Sequence, residues 1–596
     1  MTACASSRSS RRRFVQGLAL AGGAAALGAP VWTRAQGLAP GPAVLSGEHI
    51  ALTIGEVPIN ITGTRRMATA VNGLIPGPTL RLRAGDNVSI DVTNALSEPT
   101  SIHWHGFRLP NAMDGVPGLT FKGIMPGETF TYRFPIVQSG TYWYHSHSGM
   151  QEQTGLYGPV ILEPKEAAPY AFDREYVIVL SDWTDEDPMA VVANLKQQGD
   201  YYNFHQRTLG TFVADTHRKG FEATLADWSM WGRMRMSPTD IMDVTGATYT
   251  FLVNGRPPAA NWTALFAPGE RVLLRFINSA AMSTFDVRIP GLPLTIVAAD
   301  GSEVEPVAVD QFRIGVAETY DVIVTPSADQ AYTIFAQAED RTGYARATLA
   351  TRAGMSAPVP HMDPRPLRTM ADMGMAGMAM GGMKMSGSDR TGMDMGDAQK
   401  PADSMAGMDM GGGTAAKVPA ANADRVDPKS LTGRVNVDNV AMETQDRQDE
   451  PGAGLAAEDR RTLVYADLKA LKPGQEAPPA DRDIEFHLTG NMQRWTWGFD
   501  GKKFSQAGPI DVRLGETVRF VLINDTMMEH PIHLHGFLFS LENGNTGKLP
   551  LKHTVNVKPG ERVGIVFIAD TPGRWAFHCH LLYHMETGMF RTVLVA

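Results

Sequence analysis

The same two-strand pattern occurs three times along the chain, and that repetition narrows the fold more than any other feature. Gly85-Asp86-Asn87-Val88-Ser89-Ile90-Asp91-Val92-Thr93-Asn94 alternates as a half-buried strand does. The frame returns at 269–278 and at 515–524, ending on Asn278 and Asn524. A second strand follows each copy: Gly127-Glu128 leads to Tyr142-Trp143-Tyr144, Ala317-Glu318 to Tyr332-Thr333-Ile334, and Gly560-Glu561 to Trp575-Ala576-Phe577. Short strands with Gly, Pro and Asn turns and few helical stretches predict all-β sandwiches or barrels. A chain of 596 residues exceeds one core. The repeats place domain 1 at 45–165, domain 2 at 172–352 and domain 3 at 455–596.

The repeat register then singles out metal chemistry. Nine and eleven residues after Asn94 stand His103 and His105; the same offsets from Asn524 give His533 and His535. From Asn278 they give Val287 and Ile289. In the second strand His145-Ser146-His147 matches His578-Cys579-His580, while domain 2 has Phe335-Ala336-Gln337. One His-x-His pair on a strand is weak evidence, because it can be an ordinary surface or core histidine. Four pairs in equivalent positions, in two of three repeats, predict a metal cluster shared between domains 1 and 3, with domain 2 as a spacer.

Cys579 adds a second kind of site. The only other cysteine, Cys4, lies in a segment expected to be removed, so no disulfide framework exists. His584 follows Cys579 by five residues and Met589 by ten, a spacing suited to a trigonal His₂Cys site with a weak axial Met. Strand side chains alternate faces, so His578 and His580 point away from Cys579 and can join a different metal group. Domain 1 lacks this set: Ser146, Gln151 and Leu156 take the places of Cys579, His584 and Met589.

These residues resemble the multicopper oxidases. The signatures stand as His103-Trp104-His105-Gly106, His145-Ser146-His147, His530-Pro531-Ile532-His533-Leu534-His535-Gly536 and the run His578–Met589. The resemblance implies three cupredoxin-like Greek-key domains and four copper ions. Type 1 copper would take His530, Cys579, His584 and Met589, and type 2 copper His103 and His533. One type 3 copper would take His105, His145 and His580, the other His147, His535 and His578. It also implies that electrons enter at the type 1 site and pass through Cys579 to a cluster that reduces O₂ to water. Asp114 resembles the family's acid near the type 2 copper, although an aspartate before glycine is also an ordinary turn residue. Tyr583 stands where some copper-oxidising relatives carry an acid.

Composition sets the context. A net charge of −9 argues against nucleic acid as a partner. Ser10-Arg11-Arg12-Arg13-Phe14-Val15, the apolar run Gly17 to Ala29 and Thr33-Arg34-Ala35 predict a twin-arginine signal at 1–35, exported by that machinery to the periplasm. No later stretch is long enough to span a bilayer, so the mature form is expected to be free of membrane.

Between domains 2 and 3, the stretch 353–450 is expected to be a low-complexity linker. It holds Met370, Met373, Met375, Met378, Met380, Met383, Met385, Met393, Met395, Met405, Met408 and Met410. It has no Leu, Ile, Val or aromatic residue from 371 to 417, so disorder without metal is the expectation. Thioethers select Cu(I), which makes additional copper binding there the functional expectation. Together with the export signal, this gives the likeness of a bacterial copper-resistance oxidase, with Cu(I) as donor. A laccase-like oxidase of phenols and a periplasmic copper-sequestering protein are the rivals.

Overall fold

A computed structural model describes residues 43–375, 423–456 and 459–596. The expected signal at 1–35 and the middle of the methionine stretch lie outside them. The repeated sequence frame becomes a repeated sheet. His49–Asn60 runs parallel to Asn87–Asn94, which pairs antiparallel with Thr129–Pro135. Arg174–Trp183, Val272–Asn278 and Thr319–Val324 repeat that arrangement. So do Arg482–Asn491, Thr517–Asn524 and Arg562–Ile568.

Each of these sheets faces a second one. In the first sandwich its order is Val44–Ser46, Thr79–Arg83, Tyr157–Glu163, Gly140–His145 and His103–His105. In the third it is Ile510–Val512, Phe590–Val595, Gly573–Cys579, His530–Leu534 and Thr554–Val557. These cupredoxin-like sandwiches are closed by large buried aromatics such as Trp104, Trp143, Trp497 and Trp575.

Two parts depart from a plain reading of the sequence. The second sandwich carries a helical insert between Arg174–Trp183 and Thr250–Val253: α1 (Pro188–Gln197), α2 (Leu209–Lys219) and α3 (Phe221–Met234). One short helix, α4 (Leu582–Thr587), follows Cys579.

The described ends of 353–450 are packed, not free. Met370, Met373 and Met375 are buried. Their turn is closed by Met375 N–H donating to Met370 O and by Thr369 N–H donating to Asp372 Oδ2. The expectation that 371–417 buries no core was wrong for Met373 and Met375. It counted aliphatic and aromatic side chains, whereas an unbranched thioether fills a core gap equally well. Farther on, Leu431 is buried and Ala423–Asp424 pairs with Asp483–Ile484.

Candidate metal centre

The pairing of neighbouring strands brings the histidines together. His103 lies opposite His145 in the first sandwich, and His533 opposite His578 in the third. The two pairs meet. The His103 ring stacks on His535 at 3.8 Å and the His105 ring on His533 at 3.8 Å. His535 Nε2 is 2.9 Å from His578 Nε2, and His145 Nε2 is 3.4 Å from His580 Nε2. Three groups of candidate ligand atoms result: His103, His105, His533; His103, His147, His535; and His105, His145, His580. Seven of the eight predicted histidines stand in these groups and His578 meets His535, so all eight are drawn together, four from each sandwich.

Four of the rings are aimed by a hydrogen bond from the far nitrogen, which fixes the tautomer and leaves the other lone pair inward. His103 Nδ1–H donates to Asp114 O at 2.8 Å and His533 Nδ1–H to His553 O at 2.6 Å. His535 Nδ1–H donates to Asp114 Oδ2 at 2.9 Å, and His578 Nδ1–H to Cys579 O at 2.9 Å. Asp114 thus holds one histidine from each sandwich. It is placed by a turn at Asn111–Met113 followed by Gly115, whose φ is +87°. A Cβ at Gly115 would lie 1.8 Å from Ile102 O, so no side chain fits.

The second site lies inside the third sandwich. Cys579 Sγ is 3.5 Å from His530 Nδ1 and 3.8 Å from His584 Nδ1, and the two Nδ1 atoms are 3.3 Å apart. His530 Nε2–H donates to Thr526 Oγ1 at 2.7 Å, and His584 Nε2–H to Asp243 Oδ2 at 2.8 Å. Met589 is fully buried, and its carbonyl accepts the Cys579 N–H. In the first sandwich the same position is a hydrogen-bonded polar set: Thr100 and Ser146 hydroxyls donate to Gln151 Oε1 at 2.6 and 3.0 Å.

Electrostatics make both sites receptive to a soft or borderline cation. Burial, then mutual repulsion, lowers the pKa of His105, His145, His147, His533 and His535 well below the ordinary value. His578 falls to about 4, chiefly through burial. The rings are neutral at neutral pH and offer lone pairs. Burial pushes the Cys579 thiol up, so a metal must displace its proton. His103 Nε2, His105 Nδ1, His147 Nε2 and His533 Nε2 are buried without a hydrogen-bond partner. Inward-facing imidazoles and one thiolate, free of carboxylate ligands, fit copper better than a hard ion.

Three contacts escaped the sequence reading. Glu152 Oε2 lies 2.6 Å from His145 Nδ1, and burial raises its pKa. Trp497 stacks on His584 at 3.9 Å. Asp243, in the second sandwich, reaches His584 and also accepts from Trp495 Nε1 at 2.9 Å. The second repeat is therefore more than a spacer. Glu152 lies beyond a His-x-His match and Asp243 in an insert outside the repeat, so neither carried a motif.

Comparison with known proteins agrees with this geometry. Multicopper oxidase domain profiles match residues 53–167, 174–354 and 477–596. Copper resistance protein A of Escherichia coli is 52% identical over 99% of both chains. The chain belongs to the multicopper oxidase family. Its cofactors are copper ions, and it is an oxidoreductase that uses O₂. Multicopper oxidase MmcO of Mycobacterium tuberculosis is 31% identical over 98% of this chain and 96% of its own. In fold the chain resembles Fet3p, a multicopper oxidase that functions in iron import (TM-score 0.63, 20% identity, 92% and 90% covered). It also resembles the laccase from Botrytis aclada (TM-score 0.59, 22% identity, 93% and 88% covered).

Proposed function

We propose that this oxidase takes electrons from Cu(I), returns Cu(II), and serves copper resistance in the periplasm. Four Cu(I), one O₂ and four protons would give four Cu(II) and two water molecules. In this reading four coppers are resident. His530, Cys579, His584 and Met589 hold the type 1 ion, and His103 with His533 the type 2 ion. His105, His145 and His580 hold one type 3 ion; His147, His535 and His578 hold the other. Bound copper would supply reversible one-electron exchange and O₂ reduction.

The chain's own residues do the rest. Cys579 lies between His578 and His580, so a few covalent bonds join the two sites. Asp114 orients His103 and His535, and its Oδ1, buried without a hydrogen-bond partner, is an atom at which a proton can be held. The methionine stretch beyond Met375 would collect additional Cu(I) through its thioethers.

The observation that carries the choice of donor is Asp243. His584 is fully buried, and Trp497 and Trp495 cover its ring. A bulky phenol cannot touch that ring; in this reading a small cation passes its electron through Asp243, whose Oδ2 is bonded to His584. Asp240 lies close by with a buried, unpartnered Oδ1. The name carried by the curated relatives, copper resistance protein A, supports the same reading. The test compares O₂ uptake by wild type and Asp243→Ala with Cu(I) and with a phenol. Cu(I) turnover should fall about tenfold, the loss of roughly 1.4 kcal/mol of transition-state stabilisation, with the visible band retained. Equal losses for both donors would remove Asp243 from donor choice.

A further inference from the structure

The helical insert of the second sandwich presents a surface that nothing in the oxidase reaction uses. None of the residues of α2 is buried, so the helix stands off the sandwich. Inside the hairpin, Phe212 packs edge-on against Trp228 at 5.1 Å and Phe221 at 6.1 Å. Outside it, large apolar side chains face solvent: Leu209 is 80% exposed, Phe204 73%, Phe221 58%, Leu225 49% and Val213 48%. Single exposed apolar residues are ordinary, but five within 22 residues of one protruding element are not.

The charge beside this patch has a sign opposite to that of the protein. The chain carries −9 overall, yet Arg218, Lys219, Arg233 and Arg235 are exposed around the hairpin, with Glu222 as the exposed acid. Asp215 and Asp227 are half-buried and paired with Arg218 and Arg207. At the turn, His217-Arg218-Lys219-Gly220-Phe221 puts cations directly beside an exposed aromatic. A basic amphipathic helix with Phe and Leu on its other face is suited to lie in a lipid interface. The patch is carried on a projecting hairpin, which inserts into a soft medium more readily than it receives a partner's side chain.

We propose that the α2–α3 hairpin docks this protein reversibly on an anionic lipid surface. Phe221, Leu225 and Leu209 enter the headgroup layer, and Arg218 and Lys219 meet the phosphates. This differs from the expectation of a mature form without membrane contact, and it requires no spanning segment; no helix among the described residues is long and apolar enough to cross a bilayer. The root of the hairpin is tied to the donor side of the molecule. Thr245 Oγ1 donates to Tyr202 O at 2.6 Å, and Asn203 Nδ2 donates to Thr239 Oγ1 at 3.1 Å, on the segment that carries Asp243. Docking would therefore hold the donor entrance at the membrane surface.

The test is co-sedimentation of copper-loaded full-length protein with vesicles of phosphatidylcholine, with or without about one-third phosphatidylglycerol. Wild type should bind the anionic vesicles, release in high salt, and leave neutral vesicles largely unbound. Arg218→Ser with Lys219→Ser should weaken binding about 25-fold, from about 1 kcal/mol per basic residue and tenfold per about 1.4 kcal/mol. Phe221→Ser with Leu225→Ser should weaken it at least tenfold. Both pairs are exposed, so oxidase turnover in solution should be unchanged, which checks that the variants are folded. Absence of binding by wild type, or binding as tight as wild type by either variant, overturns the proposal. So does a wild-type dimer in light scattering that the Phe221 and Leu225 substitutions dissolve, since the face would then belong to a second copy.

Discussion

At the scale of residues, the account rests on which nitrogen each histidine keeps for the metal. His530 and His584 spend Nε2 on Thr526 and Asp243 and turn Nδ1 to the thiol, whereas His103, His533, His535 and His578 spend Nδ1 and turn Nε2 inward. Cys579→Ser tests that division. Serine keeps the volume but loses the soft thiolate, so the strong visible band and turnover should vanish while the histidine cluster still loads. Visible absorbance and copper content per chain check this, and a blue variant would refute the assignment of Cys579. The paired histidines were legible in the sequence because the repeat supplied an internal alignment, His584 by its spacing from Cys579, and His530 only through the resemblance to the family. Asp243 was not: it acts on a residue 341 positions away, and only folding brings the two together.

At the scale of elements, two segments carry testable weight. His487, in Arg482–Asn491, donates to Asp525 Oδ2 at 2.7 Å, just past the end of Thr517–Asn524. Burial pushes its pKa down, but Asp525 and Glu485 outweigh burial and raise it to about 9. Glu485 is lowered to about 2, first by its contact with His487. The charged imidazole thus stabilises the fold fully below its unfolded value of about 6.5, and that contribution fades as pH rises through about 9. The Glu485 contribution is present above about 4.3 and is lost as pH falls through about 2. His487→Gln should therefore cost about 1.5–3 kcal/mol near pH 5.5 and much less at pH 9.5. Calorimetry of the copper-free protein at both values reads this, and an equal loss at both would contradict the ion pair.

The second segment is the turn 370–375. Met373 is 1% exposed, so Met373→Ala should cost about 2–5 kcal/mol without copper, read as a lowered melting temperature. A deletion of 370–410 should carry that same cost, where composition alone predicted almost none. An unchanged melting temperature in Met373→Ala would return the turn to the linker. Strand elements were readable from alternation and turn residues. The insert α1–α3 was not, because the repeat frame has no helical counterpart to announce it.

At the scale of the whole molecule, the third sandwich is pinned to both others around the metal cluster. Lys552, fully buried, lies 3.0 Å from Asp300 and 3.0 Å from Glu318 of the second sandwich. Arg108 of the first sandwich pairs with Asp570 of the third, and Asn111 Nδ2 donates to Arg574 O. Three sandwiches could be inferred from three repeats, and a shared cluster from the missing histidines of the second. The seams themselves could not be read, since they depend on single charged residues with no periodicity. The central claim is that electrons enter at Cys579 and leave together from a cluster built by two sandwiches. The most direct measurement is the ratio of Cu(I) oxidised to O₂ consumed by purified, copper-loaded protein, with peroxide assayed in the same vessel. The account predicts four Cu(I) per O₂ and no peroxide; two Cu(I) per O₂ with stoichiometric peroxide would contradict it.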